Sequence, residues 1–272
     1  MKRVCITIDV EDWFQSVIYR DLYPVEGWKD KKLMVREPLK FLLDTFDRMN
    51  IKCTFFVLGW FAENYPDIVR DIHRRGHEIG SHGMTHVPNN RLDNDGLVYE
   101  ISESKRQLES VIGDDVLGYR ASSYSISERV LEEIHRSGYR YDSSFTPVKG
   151  NALYGNLKVE TIGEFEKKGL RELAVPTGKF MGKTIPFAGG TYLRILPIWF
   201  LKKQIEKLEQ DTLIMYFHPG DFDSRLPKWK ELPRKYRLRH CMGIRGNDKK
   251  FIKLLNWLHK GNYEFKRLRD LL

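Results

Sequence analysis

Short apolar runs alternate with amphipathic, helix-like stretches along most of the 272-residue chain. Apolar residues recur at helical spacing in the longer stretches, and Gly or Asn lies near their ends. Strands that alternate with helices form parallel βαβ units, and about seven such strands favour a barrel or a wide open sheet. The seven strand-like runs are VCITIDV, CTFFVLGW, HEIGS, VLGYRAS, YRYDSSF, ELAVPTG and TLIMYFH.

Polar side chains fall at or just after the C-terminal ends of five predicted strands. In a (β/α) barrel these strand ends converge on one face and form the active site. The sequence therefore predicts a single site assembled from residues that are far apart in the chain. They are Asp9, His82, Arg120, Asp142 and His218.

Two segments depart from this rhythm. Residues 147–195 are rich in Gly and Lys, and GGTYLRILP within them is predicted to be a turn or loop that leads into the helix IWFLKKQIEKLEQ. From residue 222 a basic, Pro-containing stretch leads into a final amphipathic helix, DKKFIKLLNWLHKG. We predict one domain over residues 1–272, with residues 222–272 as a basic C-terminal extension packed on it.

The formal charge of +9 rises toward the C-terminus, in RLPKWKELPRKYRLRH and KRLR. A basic surface favours anionic partners, or is simply a solvated face. No recognition motif for nucleic acid accompanies the charge, so we expect no nucleic-acid partner. The proportions of hydrophobic (41%) and charged (31%) residues are those of a folded, water-soluble protein.

The cysteines and the N-terminus bear on the compartment. Cys5, Cys53 and Cys241 have no paired spacing, so we expect reduced core thiols rather than a disulfide framework or a thiolate zinc site. The chain enters its first strand without the pattern of a secretion signal, and no run approaches the ~18 apolar residues of a membrane span. These features predict a cytoplasmic protein without a transmembrane segment, and they do not fix its oligomeric state.

The segment HEIGSHGMTH, residues 77–86, holds three of the eight histidines. Neutral imidazole is the commonest protein ligand for zinc, and two His separated by three residues can reach one ion from a compact loop. His82 and His86 have that spacing, whereas His77 belongs to the preceding strand and is expected to be structural.

Three acids follow one another closely at the end of the first strand, in TIDVEDWF. A buried carboxylate is costly unless a metal or another cation compensates it, which applies most strongly to Asp9 because Ile8 and Val10 flank it. Glu11 and Asp12 could instead begin a loop or cap a helix. A His-His-carboxylate shell would leave positions open for water, as in a catalytic zinc site, and a nearby carboxylate could take a proton.

His218, in MYFHPGDF, also lies at a strand end. It suits a general acid that protonates a leaving group, although a satisfied core histidine is the alternative.

Taken together, TIDVED, TFFVLGW, HEIGSHGMTH, GYRAS, YDSSF and YFHP resemble, in this order, the polysaccharide deacetylase family, carbohydrate esterase family 4. The resemblance covers roughly residues 4–220 and implies a distorted, TIM-like (β/α) barrel. The later stretch and the tail are similar to a subgroup with an Asp-Val-Glu first motif and a C-terminal extension. That subgroup is often found with bacterial exopolysaccharide and surface-glycan genes.

The resemblance implies metal-dependent removal of an acetyl group from an N-acetylated sugar, such as a surface-glycan or exopolysaccharide precursor, with release of acetate. A divalent metal, usually zinc, would be the cofactor. By position, Asp9 matches the catalytic base, His82 and His86 the metal ligands, Arg120 the arginine that holds the base, and His218 the general acid.

The first motif departs from the family pattern, which has two adjacent Asp, the second of them a metal ligand. Here Val10 takes that place. Strand alternation puts Glu11 on the same face as Asp9, whereas Asp12 is the shorter and more usual replacement if the chain turns. Both stay open as the ligand.

The later motifs depart as well. RASSY replaces the usual Arg-Pro-Pro, and the Trp that customarily follows the Asp of YDSSF is absent. Asp142 is nevertheless expected to support the substrate site, and Trp13 and Tyr192 are candidates to stack on sugar rings.

Two rival functions keep the same fold. One is hydrolysis of a non-sugar amide or cyclic ureide, and the other is a catalytically degenerate barrel that only binds glycan. The sequence does not choose among polymeric, lipid-linked and nucleotide-linked substrates. A lipid-linked substrate would bring peripheral membrane contact.

Overall fold

A curled sheet of nine strands forms the centre of the protein. The computed structural model describes residues 1–148, 157, 159, 163–225 and 242–272. The strands are β1 (Arg3–Val10), β2 (Thr54–Val57), β3 (Glu78–Ser81), β4 (Gly118–Tyr119), β5 (Tyr141–Asp142), β6 (Glu164–Lys167), β7 (Leu170–Leu173), β8 (Gly178–Phe180), β9 (Lys183–Ile185), β10 (Thr212–Phe217) and β11 (Glu264–Phe265).

Helices cover the outside of this sheet. They are α1 (Arg36–Arg48), α2 (Gly59–Asn64), α3 (Pro66–Arg74), α4 (Asn94–Val98), α5 (Ser104–Ile112), α6 (Glu128–Arg136), α7 (Gly190–Ile195), α8 (Ile198–Glu206) and α9 (Asn247–Lys260).

The strand order is β10-β1-β2-β3-β4-β5-β7-β6, and β11 also pairs with β1. Neighbours are parallel except for β6 and β7, while β8 and β9 form a separate antiparallel hairpin. This curled parallel sheet is a distorted (β/α) barrel, and the expected fold class is confirmed. The seven predicted strands correspond to β1, β2, β3, β4, β5, β7 and β10.

The two faces of β1 contact two different cores because successive side chains point to opposite sides of a strand. Val4, Ile6, Ile8 and Val10 pack in the cluster that includes the surrounding helices. Cys5 packs inside the barrel, and Thr7 and Asp9 follow it at two-residue intervals. The same alternation that buries the apolar residues therefore places Asp9 at the inner, C-terminal end of the strand.

Two predicted elements differ in the structure. GGTYLRILP contains the short helix α7 rather than only a turn or loop. The stretch NDGLVYEISESKRQLESVIG has the apolar spacing of one continuous helix, but a π-helical turn, Tyr99–Glu103, interrupts it between α4 and α5. A π turn inserts an extra residue into the helical repeat and rotates the following side chains, which a regular 3.6-residue pattern does not reveal.

The C-terminus closes the end of the barrel opposite the site. Leu268 and Leu271, from a final 3₁₀ turn, pack into the interior cluster. The backbone N–H groups of Leu268 and Arg269 donate to Thr54 Oγ1 at 2.8 Å and Glu78 Oε2 at 3.0 Å. Helix α9 buries an apolar face in the outer core. Residues 226–241 of the predicted extension lie outside the described residues, and the single-domain assignment stays a prediction.

Cys5 and Cys53 are buried free thiols, and Cys241 lies outside the described residues. No helix in the described part of the chain is long and apolar enough to cross a bilayer.

His77 is a structural histidine just before β3. It is 2% exposed, its ring packs against Phe46 and Phe55, and its Nδ1 accepts a hydrogen bond from the Cys53 N–H at 3.1 Å. Burial, with a smaller effect of Lys52, lowers the pKa of His77 from 6.5 to about 4. A neutral ring is therefore part of the folded state.

This burial predicts an acid-sensitive fold. Because the pKa of His77 is lower in the folded state than in the unfolded state, its neutral ring contributes fully to the free energy of unfolding above pH 6.5. That contribution is lost as the pH falls toward about 4. We expect the free energy of unfolding to fall by about 3 kcal/mol across that window. Urea unfolding of wild type and His77→Asn at a series of pH values measures it. Asn keeps an acceptor for the Cys53 N–H but cannot titrate, so an equal pH slope in both proteins would contradict the assignment.

Candidate active site

Glu11, His82 and His86 bring three potential metal-binding atoms within 4.8 Å of one another. His82 directly follows β3 and Glu11 directly follows β1, so the parallel sheet brings the two segments to one edge. Glu11 Oε1 lies 3.2 Å from His82 Nε2 and 3.0 Å from His86 Nε2. This geometry unites the predicted histidine pair with an acid from the first motif.

The imidazole tautomers suit a cation at this point. His82 Nδ1 lies 2.8 Å from the Arg120 carbonyl oxygen, and His86 Nδ1 lies 2.9 Å from that of Gln15. Since a carbonyl oxygen only accepts, each Nδ1 carries a proton, and in the neutral form of each ring Nε2 then turns a lone pair toward Glu11. Buried His86 Nε2 has no hydrogen-bond partner. Three such acceptors that face one another could hold a cation between them, and two His with one carboxylate fit zinc or a similar divalent ion.

Burial alone would raise the pKa of Glu11, but His86 and His82 outweigh it and hold the pKa well below the usual glutamate value. Glu11 is therefore ionised at neutral pH. The charge of the carboxylate adds to the attraction for a cation at this site.

Glu100 holds the loop that carries the two histidines. Its carboxylate accepts hydrogen bonds from the N–H groups of Met84 and Thr85 and from the Thr85 hydroxyl. The loop turns at Gly83, whose φ of +81° favours glycine and where a Cβ would lie 2.8 Å from Glu100 Oε2. Glu100 lies in the π-helical turn, so the interruption of the helix serves the geometry of the histidine pair.

Asp12 has a different environment from Glu11. Its Oδ1 accepts from the Trp13 N–H at 2.7 Å, and its Oδ2 accepts from the N–H groups of Met34 and Val35 at 2.7 and 2.9 Å. Asp12 caps a short 3₁₀ turn, Trp13–Gln15, and joins it to the start of α1. Both of its oxygens are thus occupied by backbone donors.

Asp9 and Arg120 form a buried ion pair, with Nη1 donating to Oδ1 at 2.8 Å. The guanidinium also donates to Thr7 Oγ1 and to the carbonyl and hydroxyl oxygens of Ser143. It lies 4.2 Å from the centroid of the Phe56 ring. Burial would lower the pKa of Arg120, but Asp9 outweighs it and raises it. The arginine is fixed on all sides and therefore orients Asp9.

His218 follows β10 and faces the two acids of the first motif. Its Nε2 lies 3.9 Å from Asp9 Oδ2 and 3.7 Å from Glu11 Oε1. Its Nδ1 lies 3.4 Å from Asp221 Oδ2, and Asp221 Oδ1 in turn lies 3.0 Å from Arg194 Nε. Burial would lower the pKa of His218, but Asp221, Glu11 and Asp9 raise it to about 9. These carboxylates therefore favour the protonated ring, which is the form that can donate a proton.

A cavity of about 170 Å³ opens beside these groups. Glu11, His218, Trp13 and Arg194 are among its lining residues. The Trp13 indole N–H donates to the Lys32 carbonyl oxygen, and the ring packs edge-on against Tyr23. An aromatic wall next to the paired acids and imidazoles suits a sugar ring.

Two predicted substrate-binding residues are not among the described residues that line this cavity. Tyr192 packs on the core from α7. Asp142 is fully buried and accepts from the Ser144 hydroxyl at 2.7 Å. Burial and Asp142 together raise the pKa of the neighbouring Glu172 well above the usual glutamate value. Glu172 is therefore the protonated, uncharged partner of Asp142.

Sequence reasoning missed the residues behind the site, namely Glu100, Asp221 and Arg194. Asp221 was detectable as an acid three residues after His218 in HPGD, a spacing that lets the carboxylate reach the ring and N–H of His218. Glu100 gave no signal because a regular helix would not aim it at the histidine loop.

A distorted barrel with histidines and acids at the C-terminal ends of its strands has the arrangement of a (β/α)-barrel enzyme, whose active site lies on that face. Residues 33–141 match the family model described as polysaccharide deacetylase, and residues 143–272 match a domain of unknown function, DUF3473. The chain therefore carries a polysaccharide deacetylase domain over residues 33–141.

Curated relatives agree over shorter stretches. A chitooligosaccharide deacetylase of Rhizobium leguminosarum bv. trifolii is 33% identical over 69 residues, covering 25% of this chain and 32% of the relative. A peptidoglycan-N-acetylglucosamine deacetylase of Bacillus cereus is 26% identical over 99 residues, covering 36% and 46%. The matched part is thus less than half the length of either relative.

Solved structures show the same fold at low identity. A Mycobacterium smegmatis structure assigned to the polysaccharide deacetylases superposes with a TM-score of 0.64 at 16% identity, covering 99% of this chain and 88% of that one. A carbohydrate esterase family 4 pseudoenzyme from Bacillus anthracis gives 0.57 at 13% identity, covering 99% and 65%. Since the fold occurs with and without activity, the function of this chain depends on the residues at the site.

Proposed function

We propose that this protein is a metal-dependent hydrolase that removes the acetyl group from an N-acetylated sugar and releases acetate. The observation that carries the proposal is the convergence of Glu11, His82 and His86 with Asp9 and His218 beside one cavity. The match of residues 33–141 to the polysaccharide deacetylase model and the deacetylase names of the curated relatives support the same reaction class.

Glu11, His82 and His86 would hold a divalent metal, for which zinc is our choice on the chemistry of the donor set. When bound, the metal supplies a Lewis acid that polarises the acetamide carbonyl and makes water acidic near neutral pH. We favour Glu11 over Asp12 as the ligand because both oxygens of Asp12 accept backbone hydrogen bonds.

Asp9 would act as general base. Arg120 fixes its Oδ1, which leaves Oδ2 directed toward His218 and the cavity side of the site. In the hydrolysis, water oxygen bonds to the acetyl carbon while its proton passes to Asp9. Arg120 is a positioning residue, since it acts through Asp9.

His218 would act as general acid. Asp221 favours the protonated ring and holds Nδ1 so that Nε2 points toward Asp9 and Glu11. The proton on Nε2 passes to the sugar nitrogen as the C–N bond breaks, so acetate and a free amine leave. Asp221 and Arg194 position this ring.

Trp13 would stack on the sugar, as its place in the cavity lining supports. Asp142 and Tyr192 stay predictions for substrate binding. For the substrate we favour a precursor of a surface glycan or exopolysaccharide, and a lipid-linked form of it would require peripheral contact with a membrane.

The test is acetate release by the zinc-loaded protein from N-acetylglucosamine oligomers and from lipid-linked and nucleotide-linked N-acetyl sugars. We expect one free amine for each acetate. Turnover of a cyclic ureide without acetate would favour the rival hydrolase. Glycan binding without stoichiometric metal and without either product would favour a degenerate barrel.

A further inference from the structure

An exposed aromatic and aliphatic surface lies on the hairpin β8–β9 and the helix α8. Phe180 is 38% exposed, Met181 86% and Trp199 65%. The rings of Phe180 and Trp199 pack edge-on against Phe200, with centroid distances of 5.3 and 6.0 Å. These four residues form one contiguous surface, which we call the hairpin face.

The tip of the hairpin has no folding reason to be apolar. Met181 and Gly182 form the two-residue turn, with φ values of +48° and +77°. Positive φ at both turn positions strongly favours Asn, Asp or Gly over a large apolar residue. A methionine that is exposed and held in an unfavourable backbone conformation points to a role outside the packing of this chain.

The segment that carries the hairpin face is mainly basic, and the nearest acid after it in the sequence is Glu206, which is exposed at the end of α8. From residue 173 to residue 205 the sequence contains five Lys or Arg and no Asp or Glu. Lys179 and Lys183 are exposed on the two hairpin strands, and Lys203 is exposed on α8. Lysines around exposed Met and Trp are complementary to an anionic lipid surface, where the apolar side chains enter and the lysines meet phosphates.

The hairpin face is also connected to the candidate active site. Helix α7 lies between the hairpin and α8 in the chain and supplies Thr191 and Arg194 to the cavity lining. A surface bound through the hairpin and α8 would therefore lie within a short chain segment of the cavity.

We propose that the hairpin face, with Lys179 and Lys183, docks this protein on an anionic phospholipid bilayer. The proposal does not depend on the hydrolase reaction, because it concerns a surface outside the catalytic groups. Two interactions would contribute to the binding free energy: Met181 and Trp199 insert into the bilayer, and the anionic lipid attracts the lysines. Binding should therefore require both the anionic lipid and the apolar tip.

Cosedimentation with vesicles tests the proposal. We expect the wild-type chain to bind vesicles of about 70% phosphatidylcholine and about 30% phosphatidylglycerol, and to bind pure phosphatidylcholine at least tenfold more weakly. The double variant K179Q/K183Q should bind the anionic vesicles roughly 30-fold more weakly, at about fivefold per lysine. The matched control K253Q/K260Q removes the same charge from exposed positions of α9 and should bind nearly as wild type.

Met181→Asn separates docking from folding. Asn suits the turn, so we expect the free energy of unfolding to stay constant or rise while vesicle binding falls, and Trp199→Ser should weaken binding at least about tenfold. Leu22→Ser, at a position 46% exposed elsewhere, is the control. The proposal would be overturned if the wild-type chain did not bind the vesicles, or if K179Q/K183Q and Met181→Asn bound them as tightly as wild type. Self-association through this face without vesicle binding would also overturn it.

Discussion

Asp9→Asn lowers acetate release by about 10²–10⁴-fold and leaves the metal content unchanged, if Asp9 is the base. Asn keeps the shape of the side chain and an oxygen that can accept from Arg120 Nη1, so the buried guanidinium retains a partner. It cannot take a proton from the attacking water. The measurement is the rate of acetate release at saturating substrate, with zinc content determined on the same samples.

Loss of fold is the main alternative cause of a low rate, because Arg120 is fully buried. The far-UV spectrum and urea midpoint of Asp9→Asn therefore accompany the rate. Asp30→Asn makes the same chemical change at an exposed residue and should keep wild-type activity. A folded Asp9→Asn protein with near-normal turnover would show that another group is the base.

Glu11→Gln weakens zinc binding by at least about 100-fold, because it removes a direct ligand rather than a group that only supports one. Asp12→Asn, in contrast, keeps the metal. The reason is that Glu11 Oε1 faces both Nε2 atoms, while the carboxylate of Asp12 accepts three backbone hydrogen bonds. Asp12→Asn should instead cost about 1–3 kcal/mol of stability, since an amide nitrogen cannot accept from those N–H groups.

Zinc titration by calorimetry and elemental analysis after gel filtration distinguish these two variants. Each replaces one carboxylate of the first motif by its own amide, so the pair is a matched comparison. Metal lost in Asp12→Asn and kept in Glu11→Gln would reverse the assignment of the ligand.

The sequence was most informative where strand periodicity and chemistry coincide. Asp9, His82, Arg120 and His218 were all placed at strand ends, and a parallel sheet has to bring such ends together, so their proximity in the structure follows from topology. The choice between Glu11 and Asp12 was open because alternation beyond the last strand residue depends on whether the chain turns.

The supporting residues were harder to predict because they act across elements. Glu100 reaches the histidine loop through a π-helical turn, which does not appear in a helical pattern. Trp13 and Tyr192 both looked like sugar-stacking residues, yet only Trp13 lines the cavity, since Tyr192 lies on the core side of α7. The sequence around an aromatic residue at a strand or loop end does not show whether its ring lines a cavity or packs on the core.

The central claim is that Glu11, His82 and His86 bind a metal that this protein needs to release acetate from an N-acetylated sugar. The most direct measurement is acetate release before chelation, after chelation and dialysis, and after return of one equivalent of zinc. We predict turnover that disappears with the metal and returns with it, and no return in Glu11→Gln at the same zinc concentration. Acetate release that persists at the same rate in metal-free protein would contradict the claim.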